Sequence, residues 1–166
     1  PAGFTTSFAG RLDSVCALHV VEASGGEVLE RGTVYIAPGD YHLVVEQEGL
    51  RQRTLLSQGP LVHYQRPAVD VLFTSVARLK GLAVVGLLLT GMGADGADGM
   101  VSMRRNGAIT IAEAEESCVV FGMPKEAIAR GGAVHVASLL RMPGLIFESF
   151  ERLASAKASS ASAKAS

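Results

Sequence analysis

Apolar residues at Phe4, Phe8, Leu12 and Val15 recur at helical spacing and predict a helix over residues 4–15. Residues 18–21 read as a short strand, closed by the polar turn Ser24-Gly25-Gly26. A second strand over residues 33–36 stops at Pro38-Gly39-Asp40. Residues 42–46 and 51–56 flank Glu48-Gly49 and predict a hairpin. After a loop framed by Gln58-Gly59-Pro60 and Arg66-Pro67, Val69, Leu72, Phe73, Val76 and Leu79 form a helical stripe ending at Gly81. From there strands and helices alternate. Residues 83–89 are apolar on both faces, as a central parallel strand would be. A helix over 96–106, a strand over 108–112, a short helix over 126–130, a strand over 134–136 and a final amphipathic helix over 139–153 follow. The alternation predicts an α/β fold: a doubly wound, mostly parallel, Rossmann-like sheet with an antiparallel hairpin on one side.

Composition fits one domain over residues 1–153. The chain has 166 residues, 48% of them hydrophobic and 19% charged, enough to build a core. From Ala154 onward only Ala, Ser and Lys occur, and residues 154–166 are expected to be a disordered tail. Fifteen basic against sixteen acidic residues leave no basic footprint for nucleic acid. The longest apolar run, residues 82–89, is too short to span a bilayer. Cys16 and Cys118 make no disulfide framework; both are expected to be reduced and mostly buried, in a cytoplasmic protein. The chain opens on Pro1, and an incomplete amino terminus is expected.

The candidate chemistry concentrates in the turn Gly91-Met92-Gly93-Ala94-Asp95-Gly96, between a predicted strand and a predicted helix. Its glycines match the G-x-G-x-x-G pattern of a dinucleotide site, with Glu113 near the position of a ribose-binding carboxylate. Asp95 argues against that reading, because a carboxylate there would repel a pyrophosphate on the helix amino terminus. Alternatively, Asp95 could accept a bond from an imidazole N–H and orient it for acyl transfer, with the Met92 amide as an oxyanion donor. The plainest reading is that Asp95 caps the following helix. Among the four histidines, His19 and His135 read as structural, while His42 is the best placed to face a cleft. No histidine or cysteine spacing suits a metal, so neither metal nor cofactor is expected. There is no G-x-S-x-G elbow.

Five segments, in order, resemble one family: Pro1-Ala-Gly-Phe-Thr-Thr-Ser-Phe-Ala9, Tyr35-Ile-Ala-Pro-Gly-Asp40, Arg66-Pro-Ala-Val-Asp-Val-Leu-Phe73, Leu89-Thr-Gly-Met-Gly-Ala-Asp-Gly96 and Cys118-Val-Val-Phe-Gly-Met-Pro124. They are similar to the CheB family, the protein-glutamate methylesterases of bacterial chemotaxis. The resemblance implies a cytoplasmic carboxylic ester hydrolase acting on glutamyl methyl esters of chemoreceptor helices, with deamidation of receptor glutamines as a second activity. It implies a Ser-His-Asp triad in which Asp95 is the aspartate and the Met92 N–H serves the oxyanion hole. A response-regulator receiver domain is the implied regulatory partner. The family's Ser lies in a Ser-Thr-Gly-Gly turn after its first, central strand, and its His falls two residues upstream of the position of Pro1. Neither segment is in these 166 residues. Gln65 also stands where members often carry His before Arg-Pro. The chain alone is therefore expected to be inactive and marginally stable. The alternatives are a noncatalytic receptor-binding relative and a dinucleotide-binding domain.

Overall fold

The structure is a computed structural model that describes residues 3–164, with side chains through residue 159. It divides into two compact units, Pro1–Leu79 and Lys80–Ser166.

In the first unit, helix α1 (Phe4–Asp13) precedes strands β1 (His19–Glu22) and β2 (Thr33–Ile36), which pair in parallel. Phe4 and Phe8 stack on one face of α1, one helical turn apart, with ring centroids 6.4 Å apart. Strands β3 (His42–Glu48) and β4 (Arg51–Ser57) form the predicted hairpin, with Glu48 opposite Arg51 at its tip. Helix α2 (Val69–Ala77) packs on β3, and the Ser75 hydroxyl accepts the Val45 N–H at 3.0 Å. Leu43, Val45, Ala68 and Ala77 are buried in this unit's core.

The second unit is a run of β-α-β crossovers. Strands β5 (Val85–Leu88), β6 (Ile109–Glu113) and β7 (His135–Ala137) form one parallel ladder in that order. Helices α3 (Ala97–Arg105) and α4 (Met123–Ala129) are the crossovers, and α5 (Met142–Lys164) closes the chain. Met100, Met103, Ile111 and Ala127 are fully buried between helices and ladder. Parallel strands need such covering helices on their faces. The mostly parallel α/β expectation, with its antiparallel hairpin, is met by these sheets.

Most boundaries shift by one to three residues from the sequence reading, and two shifts have a clear cause. Helix α4 starts three residues before the predicted 126, because Pro124 sits in its first turn, where a missing N–H costs nothing. Helix α5 continues through Lys164, across the Ala/Ser/Lys segment expected to be disordered. Its first turns are anchored by buried Met142 and Ser149. Extending an existing helix through Ala and Lys adds one bond per residue with no new nucleation. Side chains from 154 to 159 are exposed, and the Lys157 ammonium donates to the Gly81 carbonyl at 2.5 Å. Among the described residues, no helix is long and apolar enough to cross a membrane.

Candidate active site

The turn from β5 to α3 carries both candidate residues. Gly93 and Gly96 adopt left-handed φ values of 89° and 88°, which reverse the chain within a few residues. Asp95 is 1% exposed and Met92 86% exposed, so one turn buries a carboxylate and presents its neighbour to solvent. Gly96 occupies the N-cap of α3, so Asp95 is the residue immediately before the cap.

A second loop, between β6 and α4, runs beside this turn. Gly91 and Phe121 form a parallel bridge. The Thr90 hydroxyl donates to the Val120 carbonyl at 3.1 Å and accepts the Val120 N–H at 2.8 Å. The Gly91 N–H also donates to the Val120 carbonyl, at 3.0 Å. In return, the Gly91 carbonyl accepts the N–H groups of Gly122 at 3.1 Å and Met123 at 2.8 Å. The loops approach so closely that a Cβ on Gly122 would lie 2.6 Å from the Gly91 oxygen. Leu89, Met92, Val119 and Val120 are exposed apolar side chains along the same two loops.

Glu113, at the carboxyl end of β6, is 1% exposed. One carboxylate oxygen accepts the Thr90 N–H at 2.7 Å; the other accepts the Ser117 hydroxyl at 2.9 Å. Glu113 is buried with its carboxylate turned to Thr90 and Ser117, and so is not exposed to a ribose. Sequence reasoning thus placed Asp95 and Met92 in one turn and argued against the dinucleotide site in which Glu113 would have been the ribose carboxylate. It missed the part played by Thr90, Val120 and Gly122. Their contribution is mostly backbone hydrogen bonding, which leaves little trace in residue type beyond the glycine itself.

The histidines also fall differently. His42 is buried: Nε2 donates to the Pro60 carbonyl at 2.9 Å and Nδ1 accepts the Ala68 N–H at 3.2 Å. It holds the loop before α2 to β3 and faces no cleft. His19, read as structural, is exposed and pairs with Asp13 at 3.0 Å. His63 lies 2.8 Å from Asp70 in the first turn of α2. Of the two cysteines expected to be mostly buried, Cys16 is exposed and Cys118 half-buried. Burial, followed by the negative charge of Glu113, Glu115 and Glu116, pushes the Cys118 thiol above its ordinary pKa.

Comparison with known proteins adds to this geometry. Residues 1–146 match the family model described as CheB methylesterase. A protein-glutamate methylesterase/protein-glutamine glutaminase of Methylobacillus flagellatus is 53% identical over 148 residues, covering 89% of this chain and 42% of the relative. One of the same name from Ralstonia nicotianae is 55% identical over 139 residues, covering 84% of this chain and 36% of the relative. The chain therefore spans about two fifths of the length of these curated relatives. Among solved structures, the Thermotoga maritima CheB methylesterase catalytic domain superposes with a TM-score of 0.84 at 40% identity, covering 91% of this chain and 78% of that one.

Proposed function

The chain belongs to the CheB methylesterase family, and from that premise we propose that it carries the aspartate and oxyanion-donor part of an esterase site for glutamyl methyl esters on chemoreceptor helices. The observation that carries the proposal is the turn itself, which places a buried carboxylate three residues from an exposed Met92. Among the described residues the Met92 N–H has no hydrogen-bond partner. Such an N–H is what a developing oxyanion needs.

In the proposed reaction a serine oxygen attacks the ester carbonyl and passes its proton to a histidine. Asp95 accepts the N–H on the far side of that imidazole and stabilises the imidazolium. The Met92 N–H takes the negative charge forming on the carbonyl oxygen. Methanol leaves with the histidine's proton, and water then releases the glutamate. The serine and histidine are those that the family resemblance places outside these 166 residues. The same chemistry with ammonia as leaving group gives the glutaminase activity in the relatives' names. The exposed apolar rim of Leu89, Met92, Val119 and Val120 supports a helical protein substrate, since a receptor helix offers apolar side chains beside its glutamates. A cytoplasmic location and control by a receiver domain belong to the same proposal.

The test uses the product of the complete coding sequence and receptors carrying radiolabelled glutamyl methyl esters. Labelled methanol is expected, and Asp95→Asn is expected to lower its release by about four orders of magnitude. Receptor binding without methanol release would favour the noncatalytic reading instead.

A further inference from the structure

We propose that Glu113 and Gly122 are positioning residues that aim the Met92 N–H. The catalytic consequence rests on the esterase reading above; the geometry rests on the hydrogen-bond network alone.

The Gly91 carbonyl and the Met92 N–H belong to one peptide unit. That unit is planar and trans, the one cis bond among the described residues being Arg66–Pro67. Fixing the carbonyl therefore fixes the N–H, which points the opposite way. Two donors fix the carbonyl: the N–H groups of Gly122 and Met123 both bond the Gly91 oxygen. The Met92 N–H is consequently turned away from the start of α4. Only glycine fits at position 122, because the nearest atoms to a Cβ would be backbone: the Gly91 oxygen at 2.6 Å, the Gly93 nitrogen at 3.0 Å and the Met92 Cα at 3.2 Å. Backbone on both sides cannot step aside as a flexible side chain would.

Glu113 fixes the other end of the same segment. Its carboxylate holds the Thr90 N–H, one residue before the peptide in question, from inside the unit. Its second oxygen takes the Ser117 hydroxyl, which itself accepts the Leu139 N–H at 3.1 Å. Thr90 is thus held by Glu113 through its backbone and by Val120 through its hydroxyl. The direction of the Met92 N–H is set by these bonds and not by Met92 itself.

The role is one of hydrogen bonding rather than charge, and this makes it separable. A glutamine at 113 can turn its oxygen to the Thr90 N–H and its NH2 to the Ser117 hydroxyl, which can reverse and accept. Leucine can do neither. In the product of the complete coding sequence, Glu113→Leu and Gly122→Ala are each expected to lower kcat about 100-fold with KM unchanged, the scale of a roughly 1 Å misplacement. Glu113→Gln is expected to recover most of that loss. In the same full-length protein, the Met92 amide resonance should move in Glu113→Leu and Gly122→Ala and return in Glu113→Gln, while that of Val45 stays in place. If Glu113→Leu does not fold, Gly122→Ala decides by the same readouts. An unmoved Met92 resonance, or a Glu113→Gln as impaired as Glu113→Leu, overturns the proposal. A wild-type protein without esterase activity would sink the esterase reading, and the resonance would still decide the positioning.

Discussion

Two glutamates each lock a turn in this protein, and they differ in which donors they hold. Glu27, in the first unit, takes the Ser24 N–H and hydroxyl on one oxygen and the Gly25 N–H and Thr54 hydroxyl on the other. Glu113, in the second, takes one backbone N–H on one oxygen and one hydroxyl on the other. A hydroxyl can reverse and become an acceptor; a backbone N–H cannot. Glu27 thus needs two acceptor oxygens, whereas Glu113 needs one. The Glu27 turn closes on itself beside β4, with the Gly26 N–H bonded to the Thr54 carbonyl at 2.7 Å. The Glu113 lock instead leaves the Met92 N–H facing outward. One carboxylate ties a turn to β4; the other, in the proposed site, would aim a donor at the substrate.

The contrast breaks most visibly on substitution by glutamine. Glu27→Gln forces an NH2 against either the Ser24 or the Gly25 N–H. It is expected to destabilise by about 1 kcal/mol, the usual value for bonds to a charged group reduced for a half-exposed loop. That corresponds to a Tm about 3 °C lower by thermal melting. Glu113→Gln should melt within about 1 °C of wild type if its hydroxyl partner reverses as argued. Equal losses at the two sites would erase the distinction.

Acid acts on the Glu27 turn through its carboxylate. Burial pushes the Glu27 carboxyl up, but the Thr54 hydroxyl, the Ser24 N–H and hydroxyl and its own N–H outweigh it and hold the group at about 2, below its ordinary 4.5. The folded state thus binds this proton more weakly than the unfolded one. Its stabilisation is complete above about pH 4.5 and fades as the pH falls to about 2. The Tm gap between wild type and Glu27→Gln should therefore be constant from pH 5 to 7 and shrink toward pH 2. A gap that widens in acid contradicts the assignment.

The smallest effect concerns the thiols. Alkylation at pH 8 should reach exposed Cys16 well before Cys118, whose thiol is held neutral by burial and by Glu113. Removing that charge in Glu113→Gln should speed labelling of Cys118, measured by mass spectrometry. No change in its rate would show that the carboxylate does not govern the thiol.

Much of this architecture was legible in the residues. Apolar periodicity located α1, α2 and α3 to within a few residues, and Thr33–Ile36 matched β2 end to end. Asp95 and Met92 stand out as candidates because a glycine turn between strand and helix is a local pattern. Glu113 was visible only as a carboxylate at a strand end; its partner Thr90 is brought to it by the pairing of β5 and β6, and Ser117 by the local turn at Glu115–Ser117. His42 was misread for the same reason: its loop position suggested exposure, whereas Pro60 and Ala68 close over it. The clamp on the Gly91 carbonyl is built from the backbone, and of its parts only the glycine at 122 shows in the sequence.

The claim that the second unit's turn is catalytic, while the first unit's locked turn is structural, is tested most directly by kcat on methylated receptor for Asp95→Asn beside Glu27→Gln. Both are measured in the product of the complete coding sequence. Asp95→Asn is expected to lose about 10,000-fold with its fold retained, and Glu27→Gln to keep a kcat within about twofold of wild type. Wild-type kcat in Asp95→Asn, or equal losses in the two variants, would contradict it.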